Sequence, residues 1–271
     1  MMRGLLLKTW YEVWLMTLLF GCALLGVNAL LTYVIPQIQG GLIEVIERLP
    51  FVRPMLTAML GTELGDKITP QTMQAFLWVH PTVLALLWGH TIIFCTRLPA
   101  GEIDRGTIDV LLGLPVSRRA VFFGEVVAWL VAGLVVLLMG YLGHCLTSPA
   151  IPDQLRPKSS RALVVLTNLY CVYLAVGGIT LLISSLSDRR GRAMAIAFAI
   201  VLASFLLNFL SQFWEPAEQL AFLGVMQYYR PAQILQSGNF PAADIAILLS
   251  VGAGALLLGS EIVARRSICT V

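Results

Sequence analysis

Three histidines, His80, His90 and His144, are the side chains best suited to catalysis or to ligating a haem iron. Set in apolar stretches, they would serve an integral-membrane redox protein. His80 and His90 are ten residues apart, about 280° around a helix, so one helix cannot present both on one face. Lone histidines inside spans also serve as hydrogen-bonded packing residues, although a buried ionisable group is worth testing by default. The chain has no H-x-x-x-H, no Gly-x-Ser-x-Gly and no intramembrane Asp pair, which removes the common hydrolase and metalloprotease arrangements. It contains no Gly-Lys dipeptide, so it cannot cradle nucleotide phosphates in the P-loop manner. Cys22, Cys95, Cys145, Cys171 and Cys269 form no C-x-x-C pair and read as small packing hydrophobes, not as a metal or disulfide framework. No catalytic residue and no metal site is expected.

The most charged stretch is residues 97–119. It sets Glu102, Asp104 and Asp109 against Arg97, Arg105, Arg118 and Arg119, with long apolar runs on both sides. Its pattern predicts a short amphipathic helix from about Ala100 to Leu112, stopped by Gly113 and Pro115. Ile103, Thr107, Val110, Leu111 and Leu114 would share one stripe, with Glu102, Arg105 and Asp109 on the opposite, exposed face. Ser117 is a good N-cap for the next helix, with Val116 and Val121 placed as a hydrophobic staple. Periodicity alone fits two uses: a solvated connector, or a surface helix that hands force to a soluble partner.

Glu102-x-x-x-Gly106-Thr107, then Leu111-Leu112, then Leu114-Pro115-Val116-Ser117-Arg118, resembles the signature of type-2 ABC-transporter permeases. The motif covers about these twenty residues, and the resemblance in layout covers nearly the whole chain. Glu125 departs from it, since many relatives would carry Lys or a neutral residue there. The resemblance implies that the segment is a cytoplasmic coupling helix between the second and third spans. Glu102, Ile103, Arg105, Gly106, Thr107, Leu111, Leu114 and Pro115 would then dock a separate ABC ATP-binding subunit. It further implies that ATP and Mg are bound by that subunit and that this chain holds no cofactor of its own. A second permease copy or paralogue would complete a dimer, with export as the direction of transport.

The elements that must position this segment follow from composition. Of 271 residues, 58% are hydrophobic and 12% charged, half the charge of a soluble domain, so lipid is the expected solvent. No nucleic-acid partner is indicated. Six apolar runs approach the ~20 residues needed to cross ~30 Å of hydrocarbon: about 15–35, 73–96, 120–146, 162–186, 193–213 and 242–263. Residues 3–14 read as an interfacial helix, with Leu6, Trp10, Val13 and Trp14 on one face and Lys8 and Glu12 paired at i,i+4. A plain extension of the first span is the alternative. Pro36 should end that span. Leu42, Val45, Ile46 and Leu49 make a stripe opposite Glu44, Glu47 and Arg48, and Met55–Leu64 is weakly apolar; short surface helices are expected there. Thr69-Pro70 marks a helix start, and His80-Pro81 predicts a kink. Gly177-Gly178 permits close helix approach, as do the repeats Ala246/Ser250/Gly254 and Ala255/Gly259. Tyr228 and Tyr229 read as interface residues.

The expected fold is therefore all-α and integral to the membrane. It is one permease domain over residues 1–271, a six-span transmembrane helix bundle with an N-terminal interfacial helix. Even span number puts both termini on one side. With that side cytoplasmic, Arg3, Lys8, Arg97, Arg105, Arg118, Arg119, Arg189, Arg190, Arg192, Arg265 and Arg266 lie inside, 11 of the 18 basic residues, as the positive-inside rule favours. Arg156, Lys158 and Arg161 run against it. The expected location is a bacterial cytoplasmic membrane. Spans without central carboxylates argue against a proton- or sodium-coupled carrier. The substrate is not legible, and a membrane scaffold without transport is the remaining alternative.

Overall fold

In hydrocarbon every backbone N–H and C=O must find a partner within the protein, so long apolar runs form helices. The computed structural model describes residues 2–49, 60, 70–113, 115–152, 156 and 159–267, some of them by backbone alone. Among these the elements are α1 (Met2–Arg48), α2 (Pro70–Val79), α3 (Pro81–Cys95), α4 (Glu102–Asp104), α5 (Ile108–Leu112), α6 (Arg118–Thr147), α7 (Ser159–Leu186), α8 (Arg190–Leu210), α9 (Glu215–Leu220), α10 (Pro231–Ser237) and α11 (Ala242–Arg265). The helices long and apolar enough to cross a membrane are Leu7–Ile38, Met73–Cys95, Arg118–Ala150, Ser159–Leu186, Arg190–Leu210 and Ala242–Arg265. This is the all-α six-span bundle that the run lengths predicted.

The first helix differs from expectation at both ends. Residues 3–14 are not a separate interfacial element, because α1 is continuous from Met2 to Arg48. Pro36 lies inside it; a proline costs one ladder bond, which membrane helices tolerate when neighbours re-satisfy the freed group. The predicted Lys8–Glu12 pair is present at 3.6 Å. Trp10 and Trp14 are exposed, but Val13 turns inward. It belongs to a buried stripe, Thr9, Val13, Thr17, Leu24, Asn28, Thr32 and Ile35, whose spacing of three, four or seven keeps one helical face against α6. The side chains of the Leu42–Ile46 stripe, the Met55–Leu64 piece apart from Leu60, and the Thr69 cap lie outside the described residues.

The second span is broken where His80-Pro81 predicted a kink. His80 is extended (φ −58°, ψ 130°), and its Nδ1 accepts the Thr82 amide at 3.3 Å as the cap of α3. The Tyr229 hydroxyl donates to the Trp78 carbonyl at 3.1 Å, satisfying an oxygen close to the break. Tyr229 is thus buried and ties the segment before α10 to the end of α2.

Close contact between α7 and α11 runs through Gly178 and Gly252. A Cβ on Gly178 would lie 2.6 Å from the Gly252 carbonyl oxygen, so only glycine fits. Of the two small-residue repeats, Ala255 and Gly259 are buried, whereas Ala246, Ser250 and Gly254 face out of the chain. The basic residues that opposed the charge rule cap carbonyls at the bundle's other end. Arg156 donates to Ile151 O at 2.7 Å and Pro149 O at 2.6 Å, and Arg161 to Leu235 O at 2.6 Å and Gln236 O at 3.0 Å. Lys158 lies outside the described residues.

Candidate functional site

The link between the second and third spans is not one helix from Ala100 to Leu112. The chain turns sharply through Arg97–Gly101, where the Gly101 amide donates to Thr96 O at 3.1 Å, with Leu98 extended within the turn (φ −133°, ψ 135°) and a cis Leu98–Pro99 bond. The three-residue α4 follows and is closed at Gly106, whose φ is +69°. Gly106 N donates to Ile103 O and Thr107 N to Glu102 O, both at 3.0 Å. These are the paired bonds of a Schellman C-cap with glycine at C′. A Cβ at Gly106 would meet nothing within 4 Å, so the left-handed backbone, not close packing, calls for glycine. The short α5 then begins after this stop, at Ile108. The sequence carried a signal for this: Asp104-Arg105-Gly106 is a helix stop.

The segment is thus broken twice, at Leu98 and at Gly106, and no single helical phase runs through it. Leu98, Ile108 and Val121 are buried together, with Ile103 and Val116 packed on them. Val110, expected on the inner stripe, is 74% exposed, and Thr107 is exposed too. Glu102, expected on the outer face, is 6% exposed. Its carboxylate accepts Arg105 Nη2 at 2.7 Å and the Thr107 hydroxyl, so it stabilises the turn from within. Arg105, Gly106, Asp109 and Pro115 are exposed. Leu114 and the Leu111 side chain lie outside the described residues. The predicted cap is present, Ser117 Oγ accepting the Ala120 amide at 3.2 Å, and the Val116–Val121 staple joins the same small core.

Three anchors hold this segment to the bundle. The Ala100 amide donates to Ser184 Oγ of α7 at 3.2 Å. Asp104 accepts the Arg190 amide at the start of α8 at 3.3 Å, while Arg190 Nη2 donates to Ile93 O of α3 at 3.0 Å. The strongest anchor is Arg97. It grips Glu125 of α6 with two hydrogen bonds, donates to Glu12 of α1, and lies 5.9 Å from the Phe94 ring centroid. Thr9 of α1 adds a hydrogen bond to Glu125 at 3.3 Å. Burial disfavours the Arg97 charge, but the Glu125 and Glu12 carboxylates outweigh it and hold its pKa above the ordinary arginine value. Glu125 is 2% exposed. It lies seven residues into α6, roughly 10 Å from the helix start, so it belongs to the membrane edge and not the midplane. An acidic residue in an otherwise apolar span was the available signal for this site.

The histidines are not gathered. His90 Nδ1 is 3.0 Å from the Tyr173 hydroxyl, His144 Nδ1 is 3.0 Å from the Thr32 hydroxyl, and His80 caps α3. Each has its own neighbourhood, and among the described residues no three His, Cys, Asp or Glu side chains are grouped to hold a metal.

A family model described as ABC-2 family transporter protein matches residues 82–238. That stretch takes in the whole linking segment. The chain is also 24% identical over 190 residues to an uncharacterized membrane protein, YdbK, of Bacillus subtilis (strain 168), a match covering 67% of this chain and 77% of that relative. No solved structure matches. With more than half of its length matched by the family model and six apolar helices of spanning length, this chain belongs to the ABC-2 transporter family, as a transmembrane permease.

Proposed function

We propose that the chain is the membrane subunit of an ATP-driven exporter, and that residues 97–117 dock a separate ATP-binding subunit, which holds ATP and Mg. The observation that carries this is the pairing of an exposed tip with buried anchors. Arg105, Thr107, Val110 and Pro115 are exposed at the tip, and a bare valine there suits a partner's apolar groove. Glu102 and Ile103 support the tip from beneath. The same segment is bonded to α1, α6, α7 and α8. Closure of the ATP-binding subunits would push on the tip and move these helices together. The transport path would lie between two permease copies or paralogues. The linking segment and both termini would face the cytoplasm of a bacterial cell, which agrees with the basic bias of that end. Transport of a bound solute needs no catalytic residue or cofactor in this chain.

The test is co-expression with a candidate ATP-binding subunit. The chain alone should hydrolyse no ATP, and the pair should co-purify and hydrolyse it. Val110→Asp, which places a charge on the tip, should weaken assembly by roughly tenfold or more if the tip is a central contact. Gln233→Ala at the opposite end should assemble normally. Equal assembly of both variants would overturn docking at this segment. ATP hydrolysis by the single chain, with contaminants excluded, would overturn the division of labour.

A further inference from the structure

Where α7 ends and α8 begins, a pocket of about 320 Å³ opens at the basic end of the bundle. Its rim carries Asp188, Arg189 and Arg192, and its floor is made by Ile183, Leu186 and Ile196. The neighbouring Arg118, Arg119, Arg190, Arg265 and Arg266 are all bonded to other groups. Arg189 and Arg192 are exposed, and among the described residues their guanidinium groups have no hydrogen-bond or ion-pair partner. Asp188, the one carboxylate on the rim, is already paired with Arg266. The pocket therefore presents two uncommitted positive charges over an apolar floor.

The floor decides what kind of anion fits. Leu186 is 61% and Ile196 38% exposed, more apolar surface than a site for a free anion would show. Ile196 lies six residues into α8, roughly 9 Å along the helix axis. The pocket thus descends from the level of the arginines into the hydrocarbon layer, with the outward faces of α7 and α8 below it. A ligand that fills it has an anionic head for Arg189 and Arg192 and an acyl chain for Leu186 and Ile196. The start of α8 adds its positive dipole end at head level. We infer that this pocket is a binding site for an anionic phospholipid, phosphate group on the arginines and acyl chain along α8. Basic pockets between transmembrane helices hold acidic headgroups for the same reasons. The site does not depend on the transport reading.

The test counts lipids retained on the full chain by native mass spectrometry, from micelles containing phosphatidylcholine with or without phosphatidylglycerol. The wild type should keep phosphatidylglycerol in preference to phosphatidylcholine. Arg189→Gln/Arg192→Gln should bind it more weakly, by about fivefold for each arginine and roughly 30-fold for the pair. Arg265→Gln, outside the pocket, should behave as wild type. Melting of the double variant in phosphatidylcholine alone should be unchanged; if the pair fails to fold, Arg192→Gln alone carries the comparison, with about a fivefold loss. Inorganic phosphate should neither displace the lipid nor raise the melting temperature. Unchanged lipid retention in the glutamine variants would overturn the site. Stabilisation by phosphate equal to that by phosphatidylglycerol would make it a free-anion site instead. Loss of an ATP-binding subunit with lipid retention intact would assign the arginines to a protein contact and overturn the lipid assignment.

Discussion

Arg97, at the start of the linking segment, holds Glu125 of α6 by two parallel bonds, Nε to Oε1 at 2.9 Å and Nη2 to Oε2 at 2.6 Å. This fork joins the end of one span to the wall of the next, and Glu12 and Thr9 bring α1 into the same cluster. Two-pronged arginine–carboxylate pairing fixes orientation as well as distance. Removing Arg97 leaves the buried Glu125 carboxylate with no positive partner and only the Thr9 hydroxyl. Arg97→Met should therefore destabilise the chain by about 3–5 kcal/mol, while Arg97→Met/Glu125→Met should recover most of that, as replaced buried pairs often do. Thermal unfolding in detergent reads both. A double variant as unstable as the single one would mean that lost packing, not an unpaired charge, sets the cost. If the chain docks an ATP-binding subunit as proposed and the fork also transmits motion, the double variant should assemble with that subunit and yet transport poorly.

Gly106 makes a second, separable prediction. Its φ of +69° costs a side-chain-bearing residue about 1–2 kcal/mol, but no atom stands within 4 Å of a Cβ there. Gly106→Asn should be close to wild type, because asparagine visits this region with least strain. Gly106→Val should re-aim α5 and reduce assembly with the ATP-binding subunit, while melting of the spans stays unchanged. Equal assembly by Asn and Val variants would show that the bend is not needed for docking.

Gly178 on α7, packed against α11, and Gly254 on the outer side of α11 separate true contacts from outward-facing ones. Gly178→Leu would drive a side chain into the Gly252 backbone, and overpacking of this kind costs about 1–3 kcal/mol. A Cβ at Gly254 meets nothing within 4 Å, so Gly254→Leu should change stability by less than about 0.5 kcal/mol. Melting of the two variants in one detergent compares them directly. A Gly254 variant as damaged as the Gly178 variant would contradict the rotation of α11 described above.

Orientation is tested by reporter fusions. Fusions after Arg119, Arg192 and Arg266 should report cytoplasm, and one after Gln236 the far side. An external signal at Arg119 would place the linking segment beyond reach of a cytoplasmic ATPase and sink the docking proposal.

What the amino-acid order determined by itself is the bundle. Hydrocarbon thickness sets a length that each apolar run must meet, and backbone polar groups there have no partner but the helix's own. Spans, the break at His80-Pro81 and the Ser117 cap follow from those local rules, and so did the family resemblance carried by Glu102, Gly106-Thr107 and Pro115. Tertiary structure decided which face each helix turns inward. Hydrophobic periodicity gives little guidance in a membrane, where the lipid side is as apolar as the core, so Ala246, Ser250 and Gly254 looked as fit for packing as Ala255 and Gly259. It also assumes an unbroken helix, so the left-handed Gly106 moved Val110 from the inside to the tip, while Glu102, ahead of that break, is inside because its carboxylate closes the turn with Arg105 and Thr107. The Arg97–Glu125 fork joins residues 28 apart, one just past the end of α3 and one on α6. Only the relative rotation of α3 and α6 brings them together, and that rotation is a property of the packed bundle, not of either helix alone.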